Sequence, residues 1–229
     1  MKNIARIGKY GLLMCGLLFA GCYVHIGGCQ PRATCERTVE LTKPLAAGST
    51  LKVHTASGSI KINGTQTGAC SGIAKIRVHA PSQAQADEIA EQVKIALNQT
   101  PGQLEIKAER PKTRGVSISI SYDLTVPAQT NLLADTASGS IRLAHLQGNM
   151  DARTASGSVR MEDVTDGSAK LKTASGSIRI DRATLTSCSM HTASGSLTCE
   201  QLNCPDIVGN TASGSVRVAC TPDASPELR

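Results

Sequence analysis

The sequence predicts an all-β protein, a β-solenoid or β-helix-like stack of coils of about 19 residues, each with two short strands, and one inserted α-helix. The first observation is a repeated pentapeptide, TASGS, whose last five copies are separated by 18, 19, 19 and 19 residues. This period is too short for paired-helix repeats or propeller blades and fits a coil of two strands and two turns. The copies begin at Thr55, Thr136, Thr154, Thr173, Thr192 and Thr211.

The second observation is the alternation of apolar and polar residues on both sides of each TASGS copy. Period two indicates a strand with one face in the core and the other in water. The glycine suits a turn with positive φ or a close backbone approach, and the hydroxyls can satisfy turn groups or bond between coils. The identical copies are therefore interpreted as structure and not as active sites. Apolar–polar–apolar triplets begin at Ile60, Ile141, Val159, Ile178, Leu197 and Val216.

The third observation is the scarcity of aromatic residues, which are Tyr10, Phe19, Tyr23 and Tyr122. A core of Ile, Val, Leu, Met and Ala suits the narrow interior of a thin coil. Stacking platforms for single-stranded nucleic acid and aromatic cages both need several exposed rings, so these functions are not expected. The net charge is +6, but three of the 24 basic residues precede residue 22. The remaining charge is close to balance, and no nucleic-acid partner is predicted.

The N-terminus is typical of an export signal, predicted over residues 1–21. Positive charge is followed by an uncharged apolar run, residues 11–20, that is too short to span a membrane. The sequence LFAGC at residues 18–22 resembles the bacterial lipobox, which implies that the thiol of Cys22 carries a lipid. An ordinary secretory signal with an incidental cysteine is the alternative. Tyr23 follows Cys22, which by the same resemblance implies the outer membrane where the source has two membranes.

The rest of the chain divides into a tether and one domain. Residues 22–38 lack periodicity and contain several turn-forming residues, so they are interpreted as a lipid-anchored tether. Residues 39–229 are interpreted as the β-strand-repeat domain. Within it, a helix-containing insertion over residues 64–130 separates the first TASGS copy from the regular coils of residues 131–229.

The insertion and the C-terminal end also carry interpretable patterns. Ser82 is predicted to cap a helix whose apolar stripe extends over residues 86–97. This helix is expected to cover apolar surface at an end or side of the solenoid. An eleven-residue alternation over residues 116–126 predicts a long strand. At the other end, Pro222 and Pro226 are expected to blunt the last strand edge, because proline cannot donate to a ladder.

Taken together, these patterns resemble a known family. The TASGSI-type repeat, the helix after an early strand pair, and the long strand ending in Val126-Pro127 resemble the bacterial putative-adhesin family, a domain of unknown function built from β-strand repeats. The resemblance covers residues 39–229. It implies a surface-exposed, adhesive or envelope-associated module, and it provides neither catalytic residues nor a binding motif.

The cysteines allow three interpretations. Shifting Cys220 back by one 19-residue repeat places it at position 201, beside Cys199, so a Cys199–Cys220 disulfide is predicted, with Cys188–Cys204 as a weaker second. Buried free thiols are the first alternative. A metal site is the second, with the ligands Cys188, His191, Cys199 and Cys204. Apart from Cys15 and Cys22 the count is odd, with the members Cys29, Cys35, Cys70, Cys188, Cys199, Cys204 and Cys220.

A row of basic residues is predicted on the outer face of the coils, interrupted by Thr198. Such a ladder is suited to a polyanion, such as teichoic acid or lipopolysaccharide phosphate. The alternative is a solvated face that discourages edge pairing, with its field diluted by neighbouring acids such as Glu162 and Asp181. The row consists of Lys61, Arg142, Arg160, Arg179 and Arg217.

The predicted function is non-catalytic. The chain lacks the GxSxG, GxGxxG, Walker and HExxH motifs, so neither catalytic residues nor a cofactor are expected. The expected protein is an exported, lipid-anchored cell-envelope protein that presents a rigid solenoid for adhesion, binding or scaffolding. Its expected partners are the membrane, through Cys22, and an envelope polysaccharide or another surface protein. A polysaccharide-active β-helix enzyme and an envelope-stress or signalling accessory protein remain as alternatives.

Overall fold

The computed structural model describes residues 33–220 and 227–228, and strands make up most of this part of the chain. Among these residues there is one α-helix. The elements that precede the regular coils are β1 (Ala33–Pro44), β2 (Thr50–Ser57), β3 (Ile60–Thr65), β4 (Ala69–Ala80), α1 (Gln83–Gln92), β5 (Lys94–Thr100), β6 (Gln103–Glu109) and β7 (Ser117–Pro127).

From residue 131 onward the strands follow one another in pairs, and each pair forms one coil. A TASGS turn joins the two strands of the pairs that begin with β8, β10, β12, β14 and β16. These strands are β8 (Asn131–Ser138), β9 (Ile141–Gln147), β10 (Met150–Ser156), β11 (Val159–Thr165), β12 (Ser168–Ser175), β13 (Ile178–Thr184), β14 (Ser187–Ser194), β15 (Leu197–Asn203), β16 (Asp206–Ser213), β17 (Val216–Cys220) and β18 (Glu227–Leu228).

The strands form two nine-stranded sheets whose order follows the stacking of the coils. Sheet A has the order β1-β4-β7-β3-β9-β11-β13-β15-β17, and sheet B has the order β18-β16-β14-β12-β10-β8-β2-β6-β5. Strands of neighbouring coils are parallel and in register, so that Thr154 lies between Thr136 and Thr173. The first coil joins the same stack, because Thr55 pairs with Thr136 across the long insertion. The predicted fold class is therefore confirmed.

The insertion extends both sheets at the N-terminal end of the stack. β7 and β6 are parallel to β3 and β2, and antiparallel strands follow outward, with β4 and β1 in sheet A and β5 in sheet B. The helix α1 contacts β1 and β4 and buries Ala86, Ile89 and Ala90. It thus covers apolar surface near this end of the solenoid, as the sequence predicted.

The helix is shorter than its apolar stripe predicted. Ser82 caps it, and the Ser82 Oγ accepts a hydrogen bond from the Gln85 backbone N–H at 3.4 Å. The helix ends at Gln92, and the following residues enter β5, which pairs with β6 along its whole length. The extension to residue 97 was therefore wrong. A short apolar run fits both periods, and the hairpin with β6 gives Ile95 and Leu97 a half-buried place on a strand.

The interior of the regular coils is narrow and aliphatic. Val159, Ile178 and Leu197 succeed one another along sheet A and are fully buried. Tyr122 is the one aromatic residue in the described part of the chain, and it lies in β7, outside the regular coils. The scarcity of aromatic residues is therefore a property of thin layers that branched and unbranched aliphatic side chains can fill.

The TASGS turn connects each coil to the one before it. The Thr154 Oγ1 donates to the carbonyl of Gly139, and the Thr173 Oγ1 donates to the carbonyl of Gly157, both at 3.0 Å. Gly157 has φ +150°, and a Cβ placed there would lie 2.1 Å from the Gly139 carbonyl oxygen. Hydrogen bonding thus requires the threonine, and lack of space requires the glycine, at each turn of the stack. This agrees with the interpretation of the repeat as structure.

The structure corrects one domain boundary. β1 begins at Ala33 and pairs with β4 up to Pro44, so residues 33–38 belong to the sheet and not to the tether. The predicted export signal, Cys22, Pro222 and Pro226 lie outside the described residues. Within the described residues, no helix combines the length and the apolar character that crossing a membrane requires.

Candidate anion-binding surface

The predicted basic row exists on the outer face of sheet A. Strand register places its members side by side, one for each coil, and Thr198 occupies the interrupted position between Arg179 and Arg217. Lys61 pairs with Arg142, Arg142 with Arg160, and Arg160 with Arg179. The alignment is as predicted from the repeat, but the electrostatic surroundings of its members are not uniform.

A second row, of acids, neutralises the middle of the basic row. Glu162, Asp181 and Glu200 lie in register, two residues after Arg160, Arg179 and the interrupting Thr198. The Arg160 Nη2 lies 3.0 Å from the Asp181 Oδ2, and the Arg179 Nη2 lies 2.9 Å from the Glu200 Oε1. Arg160 and Arg179 therefore belong to an ion-pair network, which lowers the positive potential that they present to a ligand.

The network continues to a corner of the coils. The Arg182 Nε donates to the Asp163 Oδ1 at 2.6 Å, and the Arg182 Nη2 donates to the Glu162 Oε1 at 2.6 Å. The guanidinium of Arg182 holds the pKa of Asp163 below its ordinary value. His145, Asp163 and Arg182 all have positive φ, of 55°, 50° and 52°, which non-glycine residues adopt at a bulge or tight corner. Two carboxylates thus surround one guanidinium, so the corner adds no net positive charge to the basic row.

We expect Asp181→Ala to lower the free energy of unfolding by about 1–3 kcal/mol, because it removes a carboxylate that accepts from two arginines. The Asp181 side chain is 8% exposed, and it contacts both Arg160 and Arg179. Glu200→Ala is the matched control, since the Glu200 side chain is 50% exposed and holds one ion pair. Its cost should be below about 1 kcal/mol. Equal costs in urea unfolding would contradict the assignment of Asp181 as the centre of the network.

The acid row is missing at the N-terminal end of the basic row. Asn63 and Ala144 occupy its positions next to Lys61 and Arg142. Among the described residues, Arg142 has no ion-pair partner. Lys61 pairs with Asp123 at 3.1 Å, but the two side chains are 57% and 52% exposed. Such a pair is weak in water, so it leaves Lys61 able to bind a ligand.

These residues surround a groove of about 390 Å³, here named the basic groove. It lies across β4, β7, β3 and β9, and a second groove of about 400 Å³ shares Lys61 and Arg142 with it. The lining has three cations and one carboxylate, in contrast to the neutralised middle of the row. The polar residues of the basic groove are Ser59, Lys61, Lys75, Ser121, Asp123, Ser140 and Arg142.

Lys75 was not among the predicted residues. It lies on β4, opposite Ser121 of β7, in an antiparallel pairing outside the repeat. The alternation of β4 in the sequence places Lys75 on an outer face, but it does not say which strand β4 pairs with. The position of Lys75 beside the row could therefore not be predicted from the period.

The cysteines do not follow the predicted pairing. The six cysteines within the described residues are free thiols, including Cys199 and Cys220. Cys199 lies opposite Val218, whereas Cys220 lies opposite Leu202, because the register shifts between β15 and β17. Shifting by one repeat therefore placed Cys220 one residue away from its observed partner, and the predicted Cys199–Cys220 disulfide is absent here. Burial raises the pKa of the Cys199 thiol to about 12.

The hypothetical metal site is also not assembled. Cys188 is buried in the interior, whereas the His191 Nε2 is 3.0 Å from the Ser189 Oγ on the outer face of sheet B. Two residues three positions apart on one strand point to opposite faces. Within the described residues, no three potential ligands of the His, Cys, Asp and Glu types come together.

The side chains of Ser189, His191 and Asn210 form a row of the same residue types as some catalytic triads. The His191 Nδ1 is 3.5 Å from the Asn210 Nδ2, on the neighbouring strand. Acyl transfer by a triad also uses hydrogen-bond donors for an oxyanion, which are commonly backbone N–H groups. β14, which carries Ser189 and His191, is paired on both sides, with β12 and β16, so its amides are used in the sheet. This row is therefore a polar surface contact.

The stacked coils define this protein as a β-solenoid, and the outer face of its sheet A carries charged side chains and two grooves. Residues 35–200 match the family described as Toastrack DUF4097, and the chain belongs to this family. No curated protein matches the sequence.

Solved structures with a similar strand arrangement include three bacterial proteins. A putative cell adhesion protein from Clostridium sporogenes is 10% identical with a TM-score of 0.43, over 81% of this chain and 100% of that one. A putative lipid binding protein from Parabacteroides distasonis is 12% identical with a TM-score of 0.40, over 84% and 95%. A putative adhesin from Bacteroides fragilis is 11% identical with a TM-score of 0.32, over 85% and 97%. Likenesses this distant carry no argument about what this chain binds.

Proposed function

We propose that this chain is an exported, lipid-anchored cell-envelope protein that presents its β-solenoid as a rigid, non-catalytic surface for adhesion, binding or scaffolding. The observation that carries the proposal is the uneven charge of the sheet A face. Acids neutralise the middle of the basic row, whereas Lys61 and Arg142 remain beside a groove. This uneven neutralisation leaves cations beside the groove that can attract an anionic ligand.

The rigidity of this surface follows from its backbone. The strands that carry Lys61, Arg142 and Arg160 are each paired on both sides in register. Their side chains are therefore held at fixed spacings without the cost of ordering a loop when a ligand binds. The carboxylates nearest to the row are engaged in ion pairs, which favours binding over acid–base catalysis as the role of this face.

The lipid anchor is tested by growing bacteria that express the full chain with a labelled fatty-acid precursor. We expect label and membrane association for the unchanged chain and for Cys15→Ala, and loss of both for Cys22→Ala. Cys15 is a matched control, because it lies in the same segment and is preceded by the bulky Met14. Label retained in Cys22→Ala would refute lipidation at Cys22. Loss of label in Cys15→Ala would show that Cys15, and not Cys22, carries the lipid.

The binding role is tested separately, on an array of bacterial envelope polymers probed with the full chain in a neutral detergent. Binding of at least one envelope polymer is expected. If the protein bound none of the polymers, the binding role would be contradicted, whatever the result for the anchor.

A further inference from the structure

We infer that the basic groove is a binding site for the oxyanion group, phosphate or carboxylate, of an acidic polysaccharide. This inference rests on the proposed binding function and assigns it a site and a ligand class. Lys61, Lys75 and Arg142 contact the anion, and the serine hydroxyls of the groove contact the sugar.

The local charge of the groove is positive and favours an anionic ligand. The groove lining holds Lys61, Lys75 and Arg142 against one carboxylate, Asp123. On the neighbouring coils, Glu162 and Asp181 occupy the positions where Asn63 and Ala144 stand beside the groove. An anion entering the groove would therefore meet Lys75 and Arg142, which have no ion-pair partner among the described residues, and Lys61, whose one ion pair, with Asp123, is exposed to water. An anion over the middle of the row would have to displace formed ion pairs.

Three serine hydroxyl groups lie in the groove lining beside the cations. Ser121 lies on β7, and Ser59 and Ser140 lie in the turns directly before β3 and β9. They are neighbours, since the backbone N–H of Tyr122 donates to the Ser59 carbonyl and that of Ile60 donates to the Ser140 carbonyl. Each hydroxyl can both donate and accept, as sugar hydroxyls do. Carbohydrate recognition thus has partners next to the cations.

The groove has no exposed aromatic ring among the described residues, and it adjoins an apolar side chain and a second groove. Bases of single-stranded nucleic acid are held by exposed aromatic rings, and Tyr122, the aromatic residue of the described chain, is buried. Ile73 is 37% exposed at the groove and offers an apolar surface to the C–H face of a sugar ring. The second groove continues from Lys61 and Arg142, so the site is long enough for more than one unit of a chain.

The test compares two double variants of the full chain in neutral detergent. The groove variant is Lys75→Gln with Arg142→Gln, and the row variant is Arg179→Gln with Arg217→Gln, two members of the row that line neither groove. Both lose two positive charges, so non-specific attraction falls equally. Binding is measured by surface plasmon resonance to phosphomannan, polygalacturonate, neutral dextran and single-stranded DNA, at about 50 and about 200 mM salt. Thermal unfolding checks that each variant is folded.

We expect the unchanged chain to bind at least one of the two acidic polysaccharides in a salt-sensitive way and not to bind dextran. The groove variant should lose about tenfold or more in affinity, and the row variant less than about threefold. Preference for phosphomannan would identify phosphate as the anion, and preference for polygalacturonate would identify carboxylate.

Three results would overturn the inference: equal loss in the two variants, equal binding of dextran, or equally tight binding of single-stranded DNA. Binding on the polymer array that survives in the groove variant would leave the proposed function intact and remove this site. Absence of binding to every polymer would remove both.

Discussion

Gly157→Ala is expected to lower the free energy of unfolding by more than about 3 kcal/mol. Gly157 lies in the TASGS turn between β10 and β11 with φ +150°, a conformation that alanine adopts only under strain. An added Cβ would lie 2.1 Å from the Gly139 carbonyl oxygen of the preceding coil, and that oxygen is backbone that cannot rotate away. Relieving the contact would separate two coils and break the hydrogen bond that the Thr154 Oγ1 donates to the same carbonyl.

The measurement is urea unfolding followed by circular dichroism, with Gly68→Ala as the control. Gly68 has no atom within 4 Å of a Cβ position and no positive φ in the left-handed range. Its substitution should change the free energy of unfolding by less than about 1 kcal/mol, because alanine loses less backbone entropy than glycine when the chain folds. A Gly157→Ala chain as stable as the Gly68→Ala chain would show that the coils are not in close backbone contact at the turn.

The sequence predicts the regular part of this fold well because every coil repeats the same physical solution. A TASGS copy marks the turn, and the triplet that follows it marks an inward–outward–inward strand, as Val159, Arg160 and Met161 show. Register between coils then follows from the period, which places Arg160 beside Arg142 and Arg179.

Prediction fails where the period is interrupted. The pairing of β15 with β17 shifts in register, so Cys220 lies opposite Leu202, whereas Val218 lies opposite Cys199. The antiparallel pairing of β4 with β7 lies outside the repeat, so Lys75 could be assigned to a face but not to a neighbour. Long-range strand order is a property of the whole chain, and local alternation does not determine it.

The charge pattern could be predicted only in part. The sequence shows both the basic row and the acids near it, but whether a cation can bind a ligand depends on its distance from the nearest carboxylate. The structure gives Arg160 and Arg179 carboxylate partners within about 3 Å and gives Arg142 none among the described residues. Arg160 contacts Asp181 of the next coil at 3.0 Å and Glu162, two positions later on its own strand, at 3.6 Å. Arg142 has Ala144 two positions later, and Glu162, which stands at the equivalent place on the next coil, pairs with Arg182 and Arg160 instead.

Ala144→Glu should therefore lower the affinity for the acidic polysaccharide by about tenfold or more, although every cation of the groove is kept. Ala144 lies in register with Glu162, whose Oε2 is 3.6 Å from the Nη2 of Arg160 on the same strand. A glutamate at position 144 should reach Arg142 in the same way. It would extend the acid row by one coil and give Arg142 the ion pair that Arg160 already has.

Ala144→Gln is the control, because glutamine has the length of glutamate without its charge. Surface plasmon resonance should show that it retains affinity within about threefold of the unchanged chain, and the gap between the two variants should narrow at high salt, where exposed charges are screened. Equal loss in both variants would show that the side chain blocks the groove by its size. Full affinity in Ala144→Glu would show that Arg142 does not contact the anion. Loss confined to the charged variant would show that a carboxylate beside Arg142 weakens binding, which places the anion next to Arg142.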